Sequence, residues 1–487
     1  MTSVTSLAFD KAEAIACFRE IVSDDALLAD ASETLVYECD GYTVAKQSPD
    51  IVLFPETTEQ VAAIVTYCNQ KEIPFVPRGA GTSLAGGCLP VGGGVMIVLT
   101  RMNRILEINV RDRYAIVEPG VVNLHLTREL EGTGYHFAPD PSSQGACTIG
   151  GNVGANAGGP HTLKYGVTTN HVLGLEVVMP DGSIENLGST TEESAGYDLT
   201  GLFVGSEGTL GICTKIFVRL TRTPHACRTL LAIFDSINDA TETISDIIGQ
   251  GIIPAALELM DQGILQAVEE AFHFGFSLDA EAILLIEVDG LEISVEQEAT
   301  QISQICKKHS AREIRRAETE DERKQIWKCR KQAFGAIGRL SPSYCTQDGV
   351  VPRTKLPDIL NFILECGERH RLQILNVFHA GDGNIHPILL FDERDAAQMH
   401  RVLLASEEIL EECLRLGGSV TGEHGIGVEK ISLMSKMFSE ADLAMMNTMR
   451  EIFNPHALCS PGKMLPVSGG CGMEEIKPNK PNRKAAL

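Results

Sequence analysis

The chain has 487 residues, more than a single ordinary hydrophobic core accommodates, and so predicts two or three domains. Hydrophobic residues make up 44% of it and aromatic residues 5%, a folded rather than a disordered balance. Its 65 acidic against 41 basic residues leave a net charge of −24 with no basic stripe to offset it, which argues against nucleic acid and anionic lipid heads as partners and obliges any anionic substrate to find a local cationic pocket.

The N-terminus, MTSVTSLAFDKAEAIACF, sets Asp10 and Glu13 beside one Lys where a signal peptide needs a basic start and a long apolar stretch. The longest apolar runs, such as Val95–Leu99 and Ala282–Ile286, fall far short of the ~20 residues of a membrane span. A cytoplasmic protein is the expectation, with peripheral attachment to the inner face of a membrane through partner subunits left open. Residues 1–48 interleave acidic and apolar positions and read as an N-terminal helical segment.

From Asp50 the texture changes. Ile51–Phe54 is a short apolar run stopped by Pro55, and Thr57/Thr58-Glu-Gln caps a helix to about Gln70. Pro74–Pro77 is extended and leads into a glycine-rich loop, Arg78 to Gly87. Val95–Leu99 and Ala115–Glu118 read as buried strands, and Leu124–Gly134 as a helix. A long irregular segment, crowded with glycine, follows from Ala138 to about Tyr165. Leu173–Met179 is a strand that turns at Pro180-Asp-Gly-Ser, and Gly205-Ser-Glu-Gly-Thr-Leu-Gly211 is another glycine loop. Together these make a glycine-loop domain over 49–224.

A second domain, 225–420, has fewer glycines and segments of βα type: Leu230–Phe234, Asn238–Ile248, Ala282–Val288, Ser294–His309, a long charged helix from Thr319 to about Leu340, a hairpin over 375–391 and a helix over 397–416. A return segment, 421–466, carries a last glycine loop at Gly422–Gly427. The tail, 467–487, is rich in Gly, Pro, Asn and Lys and reads as disordered. The 14 cysteines are scattered with no Cys-x-x-Cys, which indicates reduced thiols and no iron–sulfur cluster on this chain.

Glycine lets a backbone approach a ligand closely, and successive N–H groups in such loops form an anion-binding concavity suited to a dinucleotide pyrophosphate. Each loop alone is more often a structural turn. The first, Gly79-Ala-Gly81-Thr-Ser-Leu84, puts Leu84 where a Rossmann fingerprint needs its third glycine, and no ATP-type P-loop occurs.

Taken jointly, Pro77-Arg-Gly-Ala-Gly-Thr-Ser-Leu-Ala-Gly-Gly87, Pro139-Asp-Pro-Ser-Ser143, Thr148-Ile-Gly-Gly-Asn152, Asn156-Ala-Gly-Gly159 and Gly205-Ser-Glu-Gly-Thr-Leu-Gly-Ile212 resemble the FAD loops of vanillyl-alcohol-oxidase type flavoproteins. Within that group the chain is most similar to the FAD-linked 2-hydroxyacid dehydrogenases, on the branch of the glycolate oxidase (glycolate dehydrogenase) flavin subunit, beside D-lactate and D-2-hydroxyglutarate dehydrogenases. The resemblance runs from about residue 35 to 465. It implies an α+β fold: a two-part FAD-binding domain, an α+β cap (substrate) domain, and a C-terminal segment returning to the flavin site. Pro77, Arg78, Gly79, Ala80, Gly81, Thr82 and Ser83 would then hold the pyrophosphate. Pro139, Asp140, Ser142, Ser143, Thr148, Gly150, Gly151, Asn152, Asn156, Gly158 and Gly159 would line the flavin and its ribityl chain, with Gly205, Glu207 and Gly208 in the later loop and Ile212 at the adenine side. The first loop has no His, so the FAD is expected to be non-covalent.

Phe378-His-Ala-Gly-Asp-Gly-Asn-Ile-His386 sets two histidines around a tight turn. Paired strands would place His379 and His386 side by side, as metal ligands or simply as hydrogen-bonded neighbours. Thr421-Gly-Glu-His-Gly-Ile-Gly427 offers Glu423, by itself equally a solvated loop residue. A His₂-carboxylate set suits zinc or manganese as a Lewis acid, and the resemblance implies these three ligands. His424 diverges from its neighbour Glu423 and reads as a general base, the plainer alternative being a structural histidine. For a substrate carboxylate, Arg330 matches the position that binds it in the similar enzymes, and Arg353 with Lys355 form a second candidate pair; each alone is more often a surface charge. Thr346 stands where the hydroxyglutarate enzymes carry a Lys for a distal carboxylate, which favours a small monocarboxylate.

The implied reaction is oxidation of glycolate to glyoxylate by hydride transfer to flavin. The resemblance implies companion flavin-like and iron–sulfur subunits that pass electrons to a quinone pool. D-lactate oxidation, a metal hydrolase built on His379, His386 and Glu423, and a non-catalytic flavin-binding subunit are the alternatives.

Overall fold

The computed structural model describes residues 9–191, 196–276 and 278–466; the tail expected to be disordered lies outside them. The first sheet has four strands. Ile51–Leu53, Val95–Val98 and Phe75–Arg78 run parallel, and Leu27–Leu28 adds an antiparallel edge. All three parallel strands are almost wholly apolar because helices cover them: Thr58–Gln70 and Lys11–Ile21 bury Val61, Val65 and Phe18 in the same core as Ile51 and Ile97. The N-terminal segment is thus only partly helical. It spends Leu27–Leu28 as a strand and leaves most of residues 38–50 irregular.

The second sheet has five antiparallel strands, in the spatial order Ile105–Asn109, Tyr114–Val117, Ile212–Arg219, Val172–Val178, Ile184–Gly188. Ile212–Arg219 alternates buried and half-buried residues, one face on the core. The segment expected to be irregular over 138–165 contains the helix Ile149–Ala155, capped by Thr148 Oγ1, which accepts from Gly151 N at 3.2 Å. Four glycines and alanines in seven residues hid it from pattern reading.

The cap domain is built on an eight-stranded sheet in which every pairing is antiparallel, so the strand–helix alternation in sequence does not give parallel βαβ units. Helices Ile237–Gly249, Glu292–Lys308, Leu356–His370 and Ala396–Arg415 bury their apolar stripes on one face. The other face carries Gln262–Phe272 and turns toward the first domain. The charged helix expected from Thr319 to Leu340 is two helices, Glu320–Lys331 and Ala333–Ile337, broken at Gln332. Polar bolts join the cap to the first domain: His161 Nδ1 meets Asp140 at 2.7 Å while its ring stacks on Trp327, and Tyr165 donates to Asp289 at 2.6 Å.

After Ala396–Arg415 the chain returns to the first domain. Cys459 bridges Phe75 in parallel, extending the first sheet. All cysteines among the described residues are free thiols, and no helix among them is long and apolar enough to cross a membrane.

Candidate active site

One cleft collects the glycine loops, the cap hairpin and the return segment. The strand Phe75–Arg78 ends in it and releases the chain into residues 79–83. The N–H groups of Ala80, Gly81, Thr82 and Ser83 have no acceptor among the described residues, and all four residues line the cleft. At Gly81, φ is +72° and a Cβ would run into the Arg78 guanidinium; only glycine lets the loop lie this close. Pro77, Arg78, Ser142, Ser143, Thr148, Gly150, Gly151, Asn152, Glu207, Gly208 and Ile212 line the same cleft.

Several expected lining residues stand behind this surface instead. The Pro139 carbonyl accepts from Asn123 Nδ2, and Asp140 is engaged by His161. Asn156 takes the left-handed cap of its helix (φ 53°) and accepts from Thr169 N. Gly158 backs Glu423, Gly159 packs on Asp140, and Gly205 N donates to Val153 O. Glu207 does more than line the cleft: it accepts from Ile426 N at 2.6 Å and Gly427 N at 2.7 Å, tying its loop to the return segment.

The hairpin strands Gln373–His379 and Asn384–Phe391 pair with Val377 opposite His386. Side chains alternate along a strand, so His379, two residues after Val377, shares a face with His386. The rings meet edge to face, centroids 5.0 Å apart. Each outer nitrogen is occupied. His379 Nδ1 lies 2.7 Å from Glu258 Oε1, and His386 Nδ1 donates to the Gln347 carbonyl at 3.2 Å. The inner Nε2 atoms both face Glu423 Oε1, at 3.3 and 3.2 Å.

Glu423 is delivered by a loop wrapped on a buried anion. Asp348, fully buried, accepts from Thr421 Oγ1 (2.6 Å), Gly422 N (3.0 Å), Glu423 N (3.2 Å) and His424 N (2.9 Å), and pairs with buried Lys430 at 3.3 Å. Burial opposes ionisation of Asp348, but Lys430 and the nearby imidazoles prevail and hold its pKa below the ordinary value. His424 lies flat on His386, centroids 5.1 Å apart with planes 10° apart. Burial pushes the His424 pKa down to about 4, so the ring is neutral. Its Nδ1 is buried without a hydrogen-bond partner, its Nε2 lies 3.9 Å from Glu423 Oε1 although the two residues were expected to diverge, and the residue lines the cleft.

Arg330, in the last turn of Glu320–Lys331, lines the cleft while its Nε donates to Glu258 at 2.7 Å. No other hydrogen bond engages the guanidinium among the described residues. The second candidate pair is not brought here. Arg353 donates to the Gly381 carbonyl behind the hairpin turn, and Lys355 pairs with Asp358 on the surface at 2.9 Å.

Glu258 and Asp348 were not singled out in the sequence. A lone carboxylate inside Ala255-Ala-Leu-Glu-Leu-Met260 was the available signal, because an unpaired charge does not survive such burial. Asp348 had no comparable flag.

The residues fit a divalent cation. His386 Nε2 is buried and makes no hydrogen bond although Glu423 Oε1 is 3.2 Å away. Burial disfavours charge on His379, yet Glu258 and Glu423 on either side hold its pKa well above the ordinary histidine value: the cluster draws in a positive charge. His379, His386 and Glu423 each bring a donor atom within 4.8 Å of the others. Asp348, His386 and His424 do so too, but Asp348 is committed to its N–H donors and Lys430. The four open amides and the glycine-walled cleft likewise fit a dinucleotide.

Two family models match the chain: an FAD binding domain over residues 49–188 and the C-terminal domain of FAD linked oxidases over 223–464. The chain is 43% identical to glycolate oxidase subunit GlcD of Escherichia coli K12, covering 95% of itself and 93% of that protein. It is 41% identical to GlcD of Bacillus subtilis over 88% of itself and 92% of the relative. With the mitochondrial D-lactate dehydrogenase [cytochrome] of Arabidopsis thaliana it shares 32% over 86% of itself and 74% of the relative. Among solved structures, p-cresol methylhydroxylase superposes with a TM-score of 0.78 at 18% identity, covering 93% of this chain and 96% of that one. For 4-ethylphenol oxidase from Gulosibacter chungangensis the TM-score is 0.78 at 20% identity, with 93% and 97% covered. The fold is theirs, as the glycine loops implied.

Proposed function

The chain belongs to the FAD-linked oxidases, and on that footing we propose that it oxidises a small 2-hydroxy acid, glycolate before D-lactate, in the cleft between FAD-binding and cap domains. The observation that carries this reading is the meeting of three chemistries in one cleft: amide-lined glycine loops, the Nε2/Nε2/carboxylate cluster, and an arginine whose Nη groups are uncommitted.

FAD, held non-covalently by residues 77–83, 142–152 and 207–212, would supply the acceptor for the substrate C2 hydrogen and its electron pair. A zinc or manganese ion held by His379, His386 and Glu423 would supply Lewis acidity at the C2 hydroxyl. The chain's own residues do the rest. Arg330 presents its Nη groups to the carboxylate as a planar fork. His424, neutral at physiological pH, takes the hydroxyl proton at Nε2. Thr346, buried in the cleft lining where the hydroxyglutarate enzymes carry a Lys, brings no cation for a second carboxylate and favours a monocarboxylate. The electrons would leave through companion subunits, one of them carrying iron–sulfur clusters, with attachment to a membrane through those partners.

The test is anaerobic mixing of the purified flavoprotein with glycolate, D-lactate and L-lactate, with and without a chelator. Bleaching of bound flavin by glycolate, slowed by metal removal, supports the reading. Faster bleaching by D-lactate would move the assignment to that acid. A colourless protein that binds no FAD would leave the metal hydrolase in its place, and flavin that no hydroxy acid bleaches would leave the non-catalytic subunit.

A further inference from the structure

The geometry points to Glu258 as a positioning residue that joins the substrate-carboxylate grip to the metal cluster, one buried carboxylate setting both the His379 imidazole and the Arg330 guanidinium. This inference rests on the proposed reading of the site and deepens it.

Glu258 sits on the strand Ala256–Asp261 and is 0% exposed. The antiparallel register sets it directly opposite His379, so the two side chains rise from the same face of the sheet. Its two oxygens are divided. Oε1 lies 2.7 Å from His379 Nδ1, and Oε2 receives Arg330 Nε at 2.7 Å. Among the described residues no other group touches either oxygen, so the carboxylate is spent on these two partners.

Both partners have their working ends in the cleft. With Nδ1–H given to Glu258, His379 has its lone pair at Nε2, the atom that faces Glu423 Oε1 at 3.3 Å. With Nε–H given to Glu258, Arg330 cannot swing, and its Nη fork is left for a ligand. A carboxylate that only balanced buried charge could accept from one partner; here the split between two oxygens fixes two orientations at once. The two sites are therefore coupled through one side chain: loss of Glu258 damages metal affinity and substrate affinity together, whereas loss of the Arg330 fork touches substrate alone.

Glu258→Gln is the discriminating change. An amide offers one acceptor and one donor where two acceptors are needed, so one of the two contacts becomes donor against donor. The FAD-loaded protein, stripped with chelator, is titrated with Zn(II) and with Mn(II), and KM for glycolate is measured after metal is restored. We expect metal affinity to fall about 10–100-fold and KM to rise, with FAD content and melting temperature near wild type. Glu258→Asp, which keeps both oxygens on a shorter stem, is expected to recover part of both losses, and it serves alone if the Gln variant fails to fold. Arg330→Lys is expected to raise KM with metal affinity unchanged. Wild-type metal affinity and KM in Glu258→Gln, or loss of FAD and melting temperature with the metal affinity of the folded protein intact, would overturn the positioning role. If the wild-type protein itself binds neither metal tightly, the site reading falls, and Glu258 falls with it; the wild-type titration separates that failure from the first.

Discussion

A histidine that accepts a proton has to be kept neutral and held still, and at His424, proposed above for that role, a buried loop does both. Desolvation keeps the ring uncharged, while the Asp348 carboxylate fixes the backbone from Thr421 to His424. Replacing His424 by Ala should slow anaerobic flavin reduction by about 10²–10⁴-fold while FAD content stays at wild type; reduction at the wild-type rate would remove His424 from the mechanism. Asp348→Asn leaves Lys430 as an uncompensated buried charge, and should cost about 3–5 kcal/mol in denaturant unfolding with Glu423 loosened as well. The proposed ligands could be named from the sequence because their motifs are local: two histidines across one turn and a glutamate flanked by glycine. Glu258 was not, since its partner His379 lies 121 residues away and nothing near either of them announces the other. Arg353 and Lys355 show the reverse failure. A basic residue after a proline carries no information about which way it points, and these two point away from the cleft.

Among the elements, the glycine loops were the most legible feature and their supports the least. The loop at residues 79–83 works because Gly79 lies against Thr148 Oγ1, the same oxygen that caps the helix Ile149–Ala155. Gly79→Ala would push Thr148 off its cap, a cost of about 1 kcal/mol, and narrow the cleft; the expected result is a folded protein purified with less FAD, measured by absorbance per chain. That helix was invisible because its glycine and alanine content carries no amphipathic stripe. The charged helix was legible but overlong, since pattern reading had no reason to stop at Gln332 before the chain turned.

At the scale of the molecule, the change of texture near Arg222 falls just before Ala226–Phe234, the first strand in sequence of the eight-stranded sheet, whereas the antiparallel order of that sheet depended on strands, such as Ala256–Asp261, that had not been singled out. The bolts between the domains could not be read at all, because they pair residues from opposite halves of the chain. His161 is the centre of one. Burial opposes its charge, but Asp140 and Glu287 prevail and raise its pKa to about 10, while Glu287 is held below the ordinary carboxylate value. A raised histidine stabilises the folded state fully below its ordinary value of 6.5 and loses that contribution as the pH climbs toward about 10; the lowered Glu287 loses its own as the pH falls below its ordinary 4.5. Thermal melting should therefore be highest near pH 5–6.5 and decline toward pH 10, and His161→Gln should flatten the alkaline limb. An unchanged slope would mean that this bolt contributes nothing to docking.

The return of the chain also bears on its biosynthesis. Cys459 completes a sheet begun at Leu27, and Ile426 and Gly427 clasp the Glu207 loop, so this wall of the cleft forms only after the eight-stranded sheet that precedes it in the chain has been synthesised. Flavin uptake is then expected to follow synthesis of the return segment. A nascent chain carrying only its first domain would lack that closure.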